Sequence, residues 1–464
     1  MSAFDAVVVG SGPNGLTAAA TLAVDGRRVL VIEAADEIGG GTRSAELTVP
    51  GFVHDVCSAI HPLGAGSPAF AALGIGDWVH PEIAVSHPLD GGRSGAVFRD
   101  LDATVERLGD DGSRYRTLVS PLADDAETLV GMVLGPLGPP KDPVLLGRFG
   151  VAGLPSASMM AGAFATAEMR GLIAGMAAHA ITPLTTPFTG ALAELFFASA
   201  HAFGWPAARG GSQTIADSLA SVVLDAGGAI ETGRRVDSID ELPPAPIVVL
   251  DVMPFAALSI AGSRLFEQSV RRLVRWESGP GVFKIDWALD GPVPWADDTS
   301  GRAGTVHVGG SFDEVAAAEA DVAAGRHPDA PFVLVAQQSI FDPSRAPEGK
   351  HTLWGYCHVP AGSDLDMTEA IERQIDRFAP GFRDRIIARH TFDTVGYERH
   401  NPNYVGGDIA GGAFRWQNAM RFGAARHYRI GDGVYLCSAA TPPGAGVHGM
   451  NGYHAATAAM AATP

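Results

Sequence analysis

The first hydrophobic segments of the chain are short and rich in β-branched residues, and a long alanine-rich segment separates them. Asp5 to Val9 and Val29 to Ile32 are the apolar runs, and the alanine-rich stretch between them ends near Gly26. Apolar runs of this length predict buried strands, and the alanine-rich stretch predicts a helix. Because a helix joins the two strands, we expect them to lie parallel in one sheet, as a βαβ unit.

Glycines occupy the turn between the first predicted strand and the helix, with the spacing Gly10-x-Gly12-x-x-Gly15. The first makes the tight turn, the second lets the backbone approach a pyrophosphate, and the third lets the helix pack closely on the strand. The helix N-terminus offers unpaired N–H groups and partial positive charge to phosphates. Glu33 closes the second strand at the spacing of a carboxylate that accepts hydrogen bonds from a ribose. The pattern predicts a dinucleotide-binding unit, with further contacts from Pro13, Asn14 and Ala34.

A second glycine turn after Glu33 favours FAD over NAD as the dinucleotide. Gly39 to Gly41 are followed closely by Arg43. A nicotinamide-binding domain has no need of this turn, whereas a flavoprotein can use it to wrap backbone and an arginine around the pyrophosphate. The predicted contacts in this turn are Gly40, Gly41, Thr42 and Arg43.

The C-terminal part of the chain carries a second pattern that suits a flavin. An apolar strand, Val434 to Cys437, leads into a loop of prolines and glycines that prevents a helix from starting before Val447 to Met450. The N-terminus of that helix can stabilise the anionic N1/C2=O side of a reduced flavin. The predicted flavin contacts are Ala439, Gly446, Val447, His448 and Gly449.

Segments over the whole chain resemble the phytoene desaturase branch of the FAD-dependent amine oxidase superfamily, in particular the phytoene dehydrogenase-like oxidoreductases of bacteria and mitochondria. The matching segments include VVVGSGPNGL, EIGGGTRS, GWPAARGGSQTIADSL, GVFKIDWALDGPVPW, NPNYVGGDIAGG and YLCSAATPPGAGVHGMNGYHAA. The chain departs from typical members at Ser438, since a glycine often precedes the final loop. The family contains desaturases, saturases and isomerases, so the resemblance implies the cofactor more firmly than the substrate.

The resemblance implies an α/β fold with a discontinuous Rossmann-like FAD-binding domain and an inserted α+β substrate domain. Residues 1–80, 205–260 and 395–464 are predicted to form the FAD-binding domain. Residues 81–204 and 261–394 are predicted to form the substrate domain. In the family a strand passes the adenine near the middle segment, so Val236 is expected to offer its backbone there.

Composition is typical of a large enzyme and excludes some partners. The 464 residues carry a net charge of −18, which argues against binding nucleic acid or anionic lipid through bulk electrostatics. The three cysteines are far apart in the sequence and lack metal-ligand spacing, so we expect neither a disulfide framework nor a bound metal. No basic segment precedes the first apolar strand, which argues against a signal peptide and predicts a cytoplasmic protein.

Gly171 to Ala193 contain no aspartate, glutamate, lysine or arginine. The segment is long enough to span a bilayer, but Pro183 and Pro187 break it into short helices. We expect a buried core or the lining of an apolar substrate tunnel, with peripheral membrane docking as the alternative.

Lys284 is the first candidate for catalysis, because its strand is otherwise apolar on one face. In amine oxidases a lysine on a matching strand holds a water at flavin N5, and the resemblance implies the same role here. The alternative is a structural ion pair with Asp286, which lies two residues on and points the same way.

His448 and His61 are the other catalytic candidates, as an acid or a base toward the substrate. His448 falls in the first turn of the C-terminal helix, and it could instead hydrogen-bond a nearby carbonyl. His61 follows the arginine turn in a segment that the family runs beside the ring. Asp55, in the same segment, is interpreted as a structural carboxylate. Weaker candidates for the cavity wall are Trp354, Tyr356, His358, His400 and Asn401.

No second strand–glycine turn–helix unit occurs after residue 40, so a separate NAD(P)H domain is not predicted. The leading hypothesis is therefore a flavin-dependent desaturase or dehydrogenase of a hydrophobic, isoprenoid-like molecule, with hydride transfer to flavin N5 and reoxidation by oxygen or a quinone. The alternatives are a flavin-dependent amine oxidase, a redox-neutral FAD-dependent isomerase and a non-catalytic FAD-binding partner protein.

Overall fold

A computed structural model describes residues 4–136, 138–415 and 428–463 of the chain, which build two large sheets with helices around them. The strands are β1 Ala6–Val9, β2 Val29–Ile32, β3 Ser44–Ala45, β4 His54–Asp55, β5 Trp78–Val79, β6 Ile83–Leu89, β7 Arg93–Phe98, β8 Ala207–Ala208, β9 Ala229–Glu231, β10 Ile247–Leu250, β11 Gly281–Leu289, β12 Ala303–Val308, β13 Val333–Ala336, β14 His351–Val359, β15 Ile386–Phe392, β16 Arg429–Gly431 and β17 Val434–Leu436.

The helices connect these strands and cover the sheets. They are α1 Pro13–Val24, α2 Pro62–Ala65, α3 Pro68–Leu73, α4 Leu101–Leu108, α5 Gly112–Asp124, α6 Ala126–Val133, α7 Pro143–Gly153, α8 Ala157–Ala161, α9 Ala167–Ala178, α10 Thr189–Ala202, α11 Gln213–Asp225, α12 Pro254–Ala261, α13 Glu267–Leu273, α14 Phe312–Ala323, α15 Thr368–Phe378, α16 Thr394–His400 and α17 Met450–Ala462.

The first sheet has six strands in the order β16-β17-β10-β1-β2-β9, and β1 pairs in parallel with both β2 and β10. The residues of β1, β2 and β10 are buried on both faces, as the continuous apolar runs require in a parallel sheet with helices on both sides. Its strands come from the beginning, middle and end of the chain. The predicted α/β class is confirmed, and the domain boundaries stay a prediction.

Helices α1 and α17 approach each other closely on one face of this sheet. A side chain at Gly452 would meet the backbone oxygen of Asn14, and one at Gly449 would meet the Thr17 hydroxyl. Only glycine allows this approach, which brings the first turns of the two helices together. The partial positive charges of both helix N-termini therefore lie in one region.

The second sheet has seven strands in the order β15-β11-β14-β13-β12-β6-β7 and is antiparallel except between β6 and β12. The uncharged segment from Gly171 to Ala193 forms most of α9, a turn, and the start of α10 beside this sheet. All of α9 from Gly171 to its end is buried. No helix in the described ranges is long and apolar enough to cross a bilayer.

A buried carboxylate, Asp55, joins segments that are far apart in the chain. One of its oxygens accepts hydrogen bonds from the Ser212 N–H at 2.7 Å and the Ser44 hydroxyl at 2.7 Å. The other accepts from Gln338 Nε2 at 3.2 Å and pairs with Arg345 Nη1 at 3.0 Å. Burial alone would raise the pKa of Asp55, but the Arg345 charge and these hydrogen bonds hold it below its usual value. The interpretation of Asp55 as a structural carboxylate agrees with these contacts.

Arg345 extends the same network to two more segments. Its Nε donates to Asp342 at 2.8 Å, and Nη2 donates to the carbonyl of Ala208 at 2.9 Å. The side chains of Arg345 and Asp55 are fully buried. Breaking such a pair from one side leaves an uncompensated charge in the interior.

Arg345→Met should lower the free energy of unfolding by about 3–5 kcal/mol at neutral pH, because Asp55 and Asp342 lose their buried cation. Urea unfolding followed by circular dichroism measures this change. Arg326→Met is the matched control, since Arg326 forms an exposed pair with Asp321 and its loss should cost less than about 1 kcal/mol. Equal decreases in the free energy of unfolding in the two variants would show that the buried Arg345–Asp55 pair stabilises the fold no more than an exposed pair does.

Glu194 on α10 is fully buried, and neither carboxylate oxygen has a hydrogen-bond partner in the described part of the chain. Burial raises its pKa from 4.5 to about 8. The folded protein therefore holds a proton that the unfolded chain releases, and stability falls as the pH rises from about 4.5 to about 8.

Glu194→Gln should remove this pH dependence, because the amide keeps the shape of the protonated acid and does not titrate. We expect the variant to match the parent near about pH 4.5 and to be more stable, by on the order of 1 kcal/mol or more, at about pH 8. Urea unfolding at both pH values tests this, with the exposed Glu127→Gln as control. If the difference in unfolding free energy between variant and parent does not increase with pH, Glu194 is ionised in the folded protein.

Candidate active site

A cavity of about 1290 Å³ runs from the glycine turn of the first sheet to the second sheet and helices α9 and α10. This volume exceeds that of a typical pocket for one small ligand, which is about 300–1,000 Å³. The cavity has a polar part beside the six-stranded sheet and an apolar part beside the seven-stranded sheet.

The glycine turn forms the floor of the polar part. Gly10 has a φ of 98°, which favours glycine, and a Cβ at Gly12 would lie 2.7 Å from Asp251 Oδ2. The Gly15 N–H donates to the same oxygen at 2.8 Å. The second glycine turn packs on the first, because a Cβ at Gly40 would lie 2.9 Å from the Cα of Gly12. Both turns thus present bare backbone to the cavity.

The Glu33 carboxylate is held at the cavity edge by backbone and hydroxyl donors. It accepts hydrogen bonds from the Ser11 N–H at 2.8 Å, the Ser11 hydroxyl at 2.6 Å and the Ala35 N–H at 2.9 Å. Arg43 Nη2 lies 3.7 Å from it and donates to the carbonyl of Glu37 at 2.9 Å. Arg43 Nε and Asn14 Oδ1 are buried and have no partner in the described ranges. Both residues line the cavity.

Asp251 is a cavity residue that the sequence reasoning missed. It follows β10 directly, so it lies at the carboxyl end of the strand beside β1, where ligands of parallel sheets bind. Burial raises the pKa of Asp251 to about 7, and the nearby Glu33 charge adds to the shift. The pairing of β10 with β1 was the missing information.

The C-terminal loop closes the polar part opposite the glycine turn. Ala439, Gly446 and Val447 line the cavity. His448 is fully buried behind them, and its Nδ1 accepts a hydrogen bond from the Met450 N–H at 3.1 Å. Burial lowers the pKa of His448 to about 4, so the imidazole is neutral and carries its proton on Nε2.

Lys284 is fully buried on β11 and forms an ion pair with Asp286. Its Nζ also donates to the backbone carbonyl of Asp55 at 3.0 Å. The ion pair with Asp286, which was the structural alternative for Lys284, is thus present. Lys284 does not line the cavity in the described structure but stands behind Trp354, with Nζ 5.9 Å from the ring centre. Its role at flavin N5 stays a prediction.

His61 lines the cavity at the start of α2. Its Nε2 lies 2.8 Å from the Ser212 hydroxyl, which donates to the carbonyl of Ser58 at 2.7 Å. The hydroxyl therefore accepts from His61 Nε2–H, and Nδ1 keeps a lone pair. Burial lowers the pKa of His61 to about 4, despite the opposing effect of the Asp55 charge. His61 is a neutral imidazole at the cavity wall, and its acceptor nitrogen Nδ1 lies 3.5 Å from the Ser58 hydroxyl.

The apolar part of the cavity is lined by aromatic and aliphatic side chains. They are Ile181, Phe188, Leu192, Phe196, Trp205, Leu334, Trp354 and Tyr356. Trp354 and Tyr356 thus occupy the wall as hypothesised, whereas His358 pairs with Glu319 at 2.7 Å behind it. His400 and Asn401 also line the cavity.

Charged side chains lie unevenly around the cavity. Among the described residues, Glu33 and Asp251 are the acidic side chains that line it, and both stand at the glycine turn. The basic side chains are Arg43, Arg234, Arg235, Arg399 and Arg415. The described lining residues of α10, β13 and β14 are all uncharged.

Most of the predicted site residues are brought together by the fold. Those lining the cavity are Gly10, Gly12, Pro13, Asn14, Glu33, Ala34, Gly40, Gly41, Arg43, His61, Val236, Ala439, Gly446 and Val447. Those outside its described lining are Gly15, Thr42, Lys284, His448 and Gly449. Their individual roles stay predictions.

Comparison with known proteins identifies the polar part of the site. The family described as the NAD(P)-binding Rossmann-like domain matches residues 8–73. This segment contains the glycine turn, Glu33 and Arg43. A dinucleotide-binding domain is therefore present in the chain.

Curated relatives match parts of the chain. The phytoene desaturase (neurosporene-forming) of Rhodobacter capsulatus is 26% identical over 277 residues, which are 54% of this chain and 52% of that protein. A limonene dehydrogenase component from Castellaniella defragrans is 30% identical over 122 residues, 25% of this chain and 22% of that protein. The chain thus spans about half or less of the length of the curated relatives it matches.

Solved structures match the whole fold at low sequence identity. An oxidoreductase from Methanosarcina mazei has a TM-score of 0.64 and 16% identity, with 98% of this chain and 99% of that chain covered. Cyclohexylamine oxidase from Brevibacterium oxydans has a TM-score of 0.59 and 16% identity, with 99% and 100% covered. The predicted resemblance is thereby confirmed: the chain is similar to the phytoene desaturases in sequence and has the architecture of the amine oxidases.

Proposed function

We propose that the protein is an FAD-dependent oxidoreductase that dehydrogenates an apolar small molecule. The observation that carries the proposal is the continuity of one cavity from the dinucleotide-binding turn to an aromatic, uncharged pocket. A dinucleotide and an apolar substrate can then meet in one space. The similarity to a phytoene desaturase and to a limonene dehydrogenase component supports a hydrocarbon-like substrate.

The residues of the polar part fit FAD. Glu33 is oriented by three donors and keeps acceptor capacity for a ribose. The Arg43 guanidinium at the cavity wall and the first turn of α1 suit a pyrophosphate. Ala439, Gly446 and Val447 of the C-terminal loop line the same cavity and would hold the flavin ring. When bound, FAD would accept a hydride equivalent from the substrate, and oxygen or a quinone would then take the electrons.

The chain's own residues would position the substrate and manage its proton. Trp354, Tyr356 and Phe196 hold an apolar body and exclude water. His61 offers a neutral imidazole nitrogen at the wall and is our candidate for accepting the proton lost beside the oxidised carbon. The ion pair of Lys284 and Asp286 lies behind Trp354 and would set the electrostatic potential at this wall.

Amine oxidation is the second candidate, favoured by the fold shared with cyclohexylamine oxidase. An amine is a cation in neutral solution, and its recognition normally calls for a carboxylate or a cage of aromatic rings. The acidic side chains found among the described lining residues stand at the dinucleotide end. The distribution of charge therefore favours the apolar substrate, whereas the aromatic wall of Phe196, Trp354 and Tyr356 keeps amine oxidation as the second candidate.

Gly12→Ala should weaken FAD binding about tenfold or more, because the new methyl group would press on the Asp251 carboxylate and displace its bond to Gly15. The ratio of visible flavin absorbance to protein in the purified variant, and a titration of the apoprotein with FAD, measure the effect. Gly131→Ala on α6 is the control, since nothing lies near its Cβ position. Full flavin content in the Gly12 variant would contradict the assignment of the cradle.

Anaerobic reduction of the flavin tests the reaction. We expect monoterpene or longer isoprenoid alkenes to bleach the visible flavin absorbance of the purified protein, and primary amines to leave it unchanged. Bleaching by amines alone would establish the oxidase instead. If no candidate bleaches the flavin while the photoreduced protein reoxidises normally, an isomerase or a non-redox role replaces the proposal.

A further inference from the structure

Helix α9 carries two glycines and a histidine on one face. Gly171, Gly175 and His179 are spaced by four residues, so they lie along one side of the helix. A Cβ at Gly171 would lie 2.5 Å from the ring of His87 on β6, and one at Gly175 would overlap the ring of His307 on β12. The glycines thus let two histidines of the second sheet pack against the helix. The third position of the same face is His179, which reaches the cavity.

His179 and His307 form a hydrogen-bonded pair with 3.1 Å between their Nε2 atoms. Burial lowers the pKa of His179 to about 3, and burial also holds the pKa of His307 well below its usual value. Both rings are therefore neutral at physiological pH, and each carries one N–H. In the pair, one Nε2 donates and the other accepts.

The second nitrogen of His179, Nδ1, has no hydrogen bond within the described part of the chain, and the residue lines the cavity. His307 is fully buried, so it anchors the pair from behind. An aromatic residue packs on the His179 ring, and the polar atom of the next aromatic residue along the wall already has a partner. Phe196 packs edge-on against His179 at 4.9 Å, and the Trp205 N–H donates to the Thr305 hydroxyl at 2.8 Å. His179 thus presents a free polar nitrogen to an apolar space.

We infer that His179 recognises a single neutral oxygen group, a hydroxyl or a carbonyl, on an otherwise apolar substrate. The inference rests on the proposed function, since it names the class of substrate that the same cavity would take. The favoured substrate is an isoprenoid-like alcohol, aldehyde or ketone rather than a pure hydrocarbon.

The chemistry of the pair explains this choice. If His307 Nε2–H donates to His179 Nε2, the proton of His179 is on Nδ1, which donates to an oxygen of the substrate. If His179 Nε2–H is the donor in the pair, His179 Nδ1 has a lone pair and accepts from a substrate hydroxyl. A neutral pair gives little attraction to an anion, and a cation would find no carboxylate among the described lining residues here. A pure hydrocarbon would leave the nitrogen without a partner in a dry pocket, which is costly.

Binding of two matched probes to the flavin-loaded protein tests the inference. The probes are the terpene alcohol farnesol and the hydrocarbon farnesene. Each is titrated into the protein, and binding is followed by the flavin absorption spectrum and by the fluorescence of the lining tryptophans. The preference of the parent protein for farnesol is the ratio of the two Kd values. We expect His179→Phe to reduce this preference by about 3- to 10-fold, the value of one neutral hydrogen bond. His179→Gln, which keeps a polar group, should retain most of it.

Phe196→Leu is the matched control, because it alters the same wall without removing a polar atom and should weaken both probes alike. Retained flavin absorbance reports folding of every variant, and His179→Leu replaces His179→Phe if the latter loses its flavin. An unchanged preference with both probes still bound overturns the role of His179 alone. If neither probe binds the parent protein, the apolar substrate of the proposed function is overturned, and the inference with it.

Discussion

The structure depends on the compensation of one buried charge, that of Asp55. Its carboxylate lies between the two sheets and receives donors from Ser44, Ser212, Gln338 and Arg345. An isolated charge in the interior would cost many kcal/mol, so each donor segment must be in place before the carboxylate is stable there. The backbone carbonyl of the same residue binds Lys284. The arrangement of the cavity wall beside β4 and β11 therefore follows from an electrostatic requirement as much as from apolar packing.

The parts of the fold that could be predicted from the sequence are those decided by local patterns. The strand Val29 to Ile32 and the turn at Gly10 are set by periodicity and glycine spacing, and they occur as predicted. The C-terminal helix begins at Met450, within the predicted range. The observed α/β class and the positions of the N-termini of α1 and α17 follow from these segments.

The parts that could not be predicted depend on contacts between distant segments. Arg345 lies in a short turn with no periodic pattern, and its partner Asp55 precedes it by 290 residues. Asp251 became a cavity residue only through the pairing of β10 with β1. His179 carried a local signal, the repeated four-residue spacing after Gly171 and Gly175, but the meaning of that spacing required the histidines of the second sheet. The ion pair of Lys284 was visible as an alternative because Asp286 is close in sequence.

The close approach of α1 and α17 has a consequence for the order in which the protein is made. The first turn of α1 is synthesised more than 400 residues before its neighbour at Gly452. Until then the glycine turn faces solvent on the side that α17 covers in the finished fold. Contacts of such long sequence separation form slowly, since the intervening chain must first be ordered. A ribosome that stalls before α17 would release a chain that carries the glycine turn without the helix that packs against it.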